Sequence, residues 1–458
     1  MKRLAQRNAR SVAGALAALA AVAFTGSVIP ASAATVEDWP AYLNGPMHSS
    51  YNAAETAIKP ANVAGLTQQW HHAPRGYFLS SPTVADGAVF IASYTGWFYK
   101  LSQATGAVLD KVFIGHQPQK TCSPLGVVDT ATVAADPTDH QDTVYVGGAD
   151  GYLYAFSASD LSLKWKSVVA IPSTKISDYF DWSSPTVANG KIYIGVASGC
   201  DRPLIRGAVI GYSQASGKKL AEFYTVPKGT VGGSVWSSVA VAGGEVYATT
   251  GNGPTSVPRL AYSESIIKLN PDTLKPLGSF QVPASQVTAD GDFGGSPTIF
   301  GRYVGACNKN GIYYALNQST MTLAWEKRIG GLNSQCVAAA VYNGTYLYFG
   351  GPGVTIGGKA YLGSVQERNP SDGRLRWETG LPNAVIGSPT MDGGGVLTAG
   401  TYDTSKTPNA TYLVNAANGR IVRTLINGTD FAQSVFAGGW LFTANGTGVY
   451  AWGPGSTG

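Results

Sequence analysis

One phrase recurs along this chain: an aromatic-rich strand, a polar turn, and often a tryptophan. It reads WFYKLSQATG (97–106), GYLYAFSASDLSLKW (151–165), AVIGYSQASG (208–217) and SIIKLNPDTL (265–274). It continues as IYYALNQSTMTLAW (312–325), GSVQERNPSDGRLRW (363–377) and TYLVNAANG (411–419). An eighth copy, GVYAW (448–452), stops before its last strand, and the missing half stands at the other end as ANVAGLTQQW (61–70). Ahead of each copy lies an inner strand pair such as SSPTVADGAVFIAS or WSSPTVANGKIYIGV. A period of about 40 to 57 residues suits one four-stranded sheet per repeat. The expectation is all-β: an eight-bladed β-propeller over 61–458, its last blade closed by the N-terminal strand so that no free edge remains. Trp70, Trp165, Trp325 and Trp377 are expected between neighbouring blades. A WD-repeat propeller is disfavoured, because neither a recurrent GH nor a terminal WD appears.

The first 33 residues read as a removable leader. Lys2, Arg3, Arg7 and Arg10 form a basic start, Val12 to about Val28 is apolar, and Ala31-Ser32-Ala33 is an A-x-A cleavage site. The apolar run is short and small-residued for a membrane span. The expectation is export by a general secretory route, then an approach segment over 34–60. Setting those four basic residues aside brings the formal charge of +5 to about +1. A nearly neutral chain with 13% charged residues gives no electrostatic case for nucleic acid. No GxSxG, HExxH or P-loop is present, so hydrolase and nucleotide readings lack support. Cys122, Cys200, Cys307 and Cys336 form no CxxC. In an oxidising compartment they suggest two disulfides, with three pairings open.

The x-T-G-x-x-x-W phrase closing the blades resembles the tryptophan-docking motif of quinoprotein alcohol dehydrogenases. These are eight-bladed propellers that bind pyrroloquinoline quinone (PQQ) and usually calcium. The resemblance runs from about Trp39 to Pro454, and is nearest to polyvinyl-alcohol dehydrogenases without a haem domain. It implies roles residue by residue. Ser198-Gly199-Cys200-Asp201 followed by Arg206-Gly207 resembles a loop whose acidic residue ligates calcium, so Asp201 is the implied ligand, with Ser183 and Ser198 as cofactor-binding hydroxyls. GGSVWSS makes Trp236 the floor under a planar cofactor, and ATTGNGP makes Asn252 a second calcium ligand. VTADGDFGGSP offers Asp290 and Asp292 as catalytic base and further ligand, without deciding between them. NKNGIYYALN makes Lys309 the lysine beside the quinone oxygens.

These residue types suit that chemistry. Calcium prefers several carboxylate and amide oxygens, an aspartate can take a hydroxyl proton, and a lysine stabilises developing negative charge. Taken singly, Asp and Asn beside Gly are also ordinary turn residues. The chain departs from the pattern where KTCSPLGVVDTA has one cysteine, Cys122, in place of an adjacent pair and no arginine after it. The resemblance then implies a Cys122–Cys200 bridge over the cofactor side and a Cys307–Cys336 bridge between neighbouring blades. The implied substrate is a small or polymeric alcohol, with a separate electron acceptor such as a cytochrome. Because non-catalytic propellers carry the same repeat, the other reading is a secreted propeller that binds a protein, glycan or polymer, or an envelope scaffold.

Overall fold

The computed structural model describes residues 38–455 apart from 75, 118–125, 174–177, 255–258, 332–334, 403–407, 427 and 429–430. Eight blades of antiparallel strands are described, the first seven following the chain from the channel outward, and Tyr51–Asn52 adds a parallel pair at the inner edge of the seventh. Blade 1 spans 83–113, blade 2 132–168, blade 3 186–224 and blade 4 240–281. Blade 5 spans 298–328, blade 6 341–381 and blade 7 390–425. Blade 8 takes three strands from 435–454, and its outermost strand is Leu66–His72, paired antiparallel to Gly448–Pro454. The expected closure by the N-terminal strand is therefore observed. No described helix is long and apolar enough to cross a membrane.

The repeating phrase has a physical cause in the packing between blades. Gly106, Gly217, Gly373 and Gly419 all sit at positive φ in tight turns, where glycine is favoured. At each, a Cβ would lie within 2.7 Å of the indole of the preceding blade's tryptophan: Trp70, Trp165, Trp325 and Trp377, respectively. Three of these indoles also donate across the seam, Trp70 to Gln103 O, Trp325 to Pro370 O and Trp377 to Ala416 O, at 2.8–3.0 Å. The apolar core is divided accordingly into eight clusters, one at each junction between adjacent blades.

A second ring of contacts circles the channel. The backbone N–H of Ser81 donates to the Thr130 hydroxyl, Thr130 to Ser184, Ser184 to Ser238, and Ser238 to Ser296. Ala339 donates to Ser388 and Gln433 to Ser81, all at 2.8–2.9 Å. Each link joins one blade to the next and satisfies an N–H that would otherwise be buried without a partner. The S-S-P-T phrase of the inner strands is the sequence trace of this ring.

The approach segment closes one end of the channel. Trp39 pairs with Val84 of blade 1, and the carbonyls of Pro40, Pro46, Met47, Ser49 and Ser50 accept from Val133, Val241, Ile299, Tyr342 and Met391. Those acceptors reach the inner strands of blades 2, 4, 5, 6 and 7, while Leu43 N–H donates to Gln433 of blade 8. Inner-strand edges that would face an open channel are thus paired. His48 is fully buried in this segment, with Nδ1 2.9 Å from Pro297 O.

Candidate active site

The opposite mouth of the channel is built by loops between second and third strands and by connections between blades. Asp201 follows Lys191–Ser198, Asn252 follows Glu245–Thr249, and Lys309 lies between Tyr303–Cys307 and Ile312–Asn317. Trp236 and the Asp290/Asp292 pair lie on the connections into blades 4 and 5. Oxygens of Asp201, Asp290 and Asp292 all fall within 4.8 Å of one another. Lys309 Nζ is 2.9 Å from Asp290 Oδ1 and 2.8 Å from Asp292 Oδ2, and stands 5.3 Å from the Trp236 ring centre. Asp292 Oδ1 accepts the Asn252 N–H at 2.6 Å. The Asn252 Oδ1 is buried and has no hydrogen-bond partner.

The two aspartates that the sequence left undivided differ sharply. The Asp290 side chain is 61% exposed and that of Asp292 6%. Burial raises the Asp292 carboxyl above its usual range, against the opposing pull of Lys309. Burial and the charge of Asp292 push Asp201 up to about 6. Lys309 is raised too, because its two aspartates outweigh the effect of its own burial. Three carboxylates face one ammonium, so the mouth carries an excess of negative charge.

Local hydrogen bonds aim these groups. Asp201 has a left-handed backbone (φ 59°), a conformation aspartate tolerates better than most residues, and its N–H donates to Ser198 Oγ at 2.6 Å. Ser198 Oγ donates in turn to Pro203 O, and Ser183 Oγ accepts the Gly195 N–H. Both hydroxyls expected at a cofactor thus have partners in the protein's own backbone. Asn308, which sequence reasoning missed, donates to Gly291 O at 2.6 Å, while Lys309 N–H donates to Asp292 O. Together they lock the lysine hairpin to the aspartate connection. Ser234 was missed as well: its hydroxyl accepts from Ser198 N–H and its carbonyl from Gly251 N–H, joining the Asp201 and Asn252 loops. Asn308 directly precedes Lys309, but nothing in the sequence marks its contact with Gly291.

Cys307 and Cys336 form the expected disulfide between blades 5 and 6, with Cα atoms 5.6 Å apart. It holds the strand that leads into Lys309. The expected Cys122–Cys200 bridge involves Cys122, which lies outside the described residues, as does the leader.

A family model described as outer membrane protein assembly factor BamB, built on PQQ-type repeats, matches residues 64–195 and 128–346. The chain belongs to this PQQ-repeat family. No curated protein matches the sequence as a relative. Among solved structures, this PQQ-repeat propeller is similar to a quinohemoprotein alcohol dehydrogenase from Pseudomonas putida HK5 (17% identity, 92% of this chain and 81% of that one, TM-score 0.75). It is similar to a europium-containing methanol dehydrogenase (16% identity, 90% of both chains, TM-score 0.72). It is also similar to BamB from Moraxella catarrhalis (15% identity, 85% of this chain and 99% of that one, TM-score 0.58). At these identities the likeness establishes the fold.

The residues of this PQQ-repeat propeller fit a hard cation. Three converging carboxylates form an all-oxygen set with unbalanced negative charge, as calcium prefers, and Asn252, whose N–H bonds Asp292, carries a buried side-chain oxygen without a partner. They also fit a flat, anionic quinone at the mouth, where Trp236 offers an aromatic face beside the Lys309 ammonium. The channel interior, lined by Trp236, Trp182, Tyr42 and the hydroxyl ring, holds only about 60 Å³ of cavity. That is room for a few waters and not for a planar cofactor.

Proposed function

We propose that the protein is a secreted, calcium- and PQQ-dependent dehydrogenase that oxidises an alcohol and passes the electrons to a separate acceptor such as a cytochrome. Secondary and polymeric alcohols, polyvinyl alcohol among them, are the substrate class. The observation that carries this reading is the convergence of Asp201, Asp290, Asp292 and Lys309 over Trp236, with an orphaned Asn252 oxygen beside them. When bound, PQQ supplies the hydride acceptor and calcium the Lewis acidity that polarises it.

The chain's own groups divide the remaining work. Asp201, Asn252 and Asp292 hold the cation, and Trp236 gives the cofactor a flat apolar face. Lys309 places positive charge beside it. Asp290 is the general base: it is open to the solvent side, and its only described ion-pair partner is Lys309. Asp292, nearly buried and fixed by Lys309 and the Asn252 N–H, is placed for the cation and not for the substrate.

A second reading is a non-catalytic propeller that binds a protein, glycan or polymer, or serves as an envelope scaffold. The description of the matching family and the likeness to BamB favour it. The test is to reconstitute the purified protein with PQQ and Ca²⁺ and follow dye-linked oxidation of ethanol, 2-propanol and polyvinyl alcohol. Asp290→Asn should lower kcat on the order of 10²–10⁴-fold with PQQ still bound. Absence of PQQ binding at micromolar concentration overturns the enzyme reading and leaves the scaffold.

A further inference from the structure

Away from the Lys309 site, a second pair of carboxylates lies at the junction of blades 2 and 3. Asp129 precedes the inner strand of blade 2, and Asp181 stands directly before Trp182 on the way into blade 3. They are 1% and 8% exposed. Asp129 Oδ2 accepts the Gly147 N–H at 2.6 Å. Its other oxygen and both oxygens of Asp181 have no hydrogen-bond partner. Among the described residues neither is in a salt bridge, and the other charge acting on Asp181 is a further carboxylate, Asp150. Burial, and for Asp181 the neighbouring carboxylates, hold both groups well above the usual range.

Glycine lets the two carboxylates approach the backbone closely. Gly147 does not have a left-handed backbone, so its conformation does not demand glycine. A Cβ there would stand 2.1 Å from Asp181 Oδ2 and 2.9 Å from Asp129 Oδ2. At the next residue, Gly148, a Cβ would stand 2.5 Å from Asp150 Oδ1 and 2.6 Å from Ile114 O. Glycine at 147 thus lets both carboxylates press against this strand end, in a space that a side chain would fill.

Unpaired carboxylates in a dry interior require a proton or a cation. One shared proton makes one hydrogen bond and occupies two oxygens, whereas three oxygens here lack partners. A cation can engage all of them. We propose that Asp129 and Asp181 bind a hard, oxygen-preferring cation of the calcium class, separate from the Asp201 site. Backbone carbonyls and water complete its shell. Bound there, it ties blade 2 to blade 3 beside Trp182, whose indole N–H holds the Ser198 carbonyl at 3.1 Å at the root of the Asp201 loop.

The test is calorimetric titration of chelator-treated full-length mature protein with Ca²⁺ alone near neutral pH. Wild type should take up two equivalents. Asp181→Asn and Gly147→Ala, the latter leaving both carboxylates but filling the space, should each lose one equivalent. Asp201→Asn should lose the other. Near-UV circular dichroism checks that each variant is folded, and Asp129→Asn replaces any that is not. Unchanged stoichiometry in folded Asp181→Asn, the result a proton-sharing pair gives, overturns the proposal. A single equivalent abolished by Asp201→Asn also overturns it, while leaving the proposed function standing.

Discussion

Trp236 can lie across the channel mouth because the residue it leans on has no side chain. A Cβ at Gly294 would stand 2.4 Å from Cη2 and Cζ2 of the indole. Gly294→Ala should therefore displace the ring and cost about 1–3 kcal/mol, read as a lower Tm together with a changed tryptophan emission. Lys309→Met removes the ammonium from a nearly buried carboxylate, Asp292, and should cost about 3–5 kcal/mol in urea denaturation. Added Ca²⁺ should recover more stability in this variant than in wild type, since a divalent ion can replace the missing charge. At this scale the sequence was readable in kind and silent on placement. The NKNG hairpin, the tryptophan and the acidic pair stand in order along the chain. Asp290 and Asp292 are two residues apart in a glycine-rich connection, and only the fold decides which faces inward. Ser183 and Ser198 were likewise visible as hydroxyls, but their backbone partners Gly195 and Pro203 were not.

Single elements differ in how plainly they announce themselves. The blade strands repeat, so their alternation and the tryptophans between blades were legible, but not the glycine on which each indole seats. The S-S-P-T phrase was visible as well, but its ring of cross-blade hydrogen bonds was not. Thr130→Val removes the acceptor of the Ser81 N–H and should cost about 1–3 kcal/mol, measurable by chemical denaturation. Residues 38–52 have no periodicity to read, because many of their bonds run from backbone to backbone with strands far along the chain. Their one histidine gives them a pH signature. His48 titrates at about 4 because burial disfavours the charged ring, and no charged side chain contributes. The unfolded chain takes up this proton near 6.5, so between the two values it binds more protons than the folded one. Stability from this residue is complete above about 6.5 and declines towards about 4, by on the order of 3 kcal/mol in all. His48→Gln should flatten this part of the stability–pH profile.

For the whole molecule, the ring depends on one strand brought from the far end of the sequence. Leu66–His72 supplies the outer edge of blade 8, and Trp70 seats on Gly106 of blade 1. Deleting residues 38–72 should expose a strand edge and the unpaired inner strands together, giving aggregation on size-exclusion chromatography. The eight-fold repeat made closure readable, since the half-phrase at 61–70 complements the one that stops at 452.

The same arrangement imposes an order of assembly during synthesis. Residues 39–50 bond to strands that begin at residue 83 and extend past residue 390, and Leu66–His72 waits for Gly448–Pro454. The described segment that is made first is therefore completed last. Each blade can settle on its predecessor as it emerges, but the clasp closes only after the final strand has been translated.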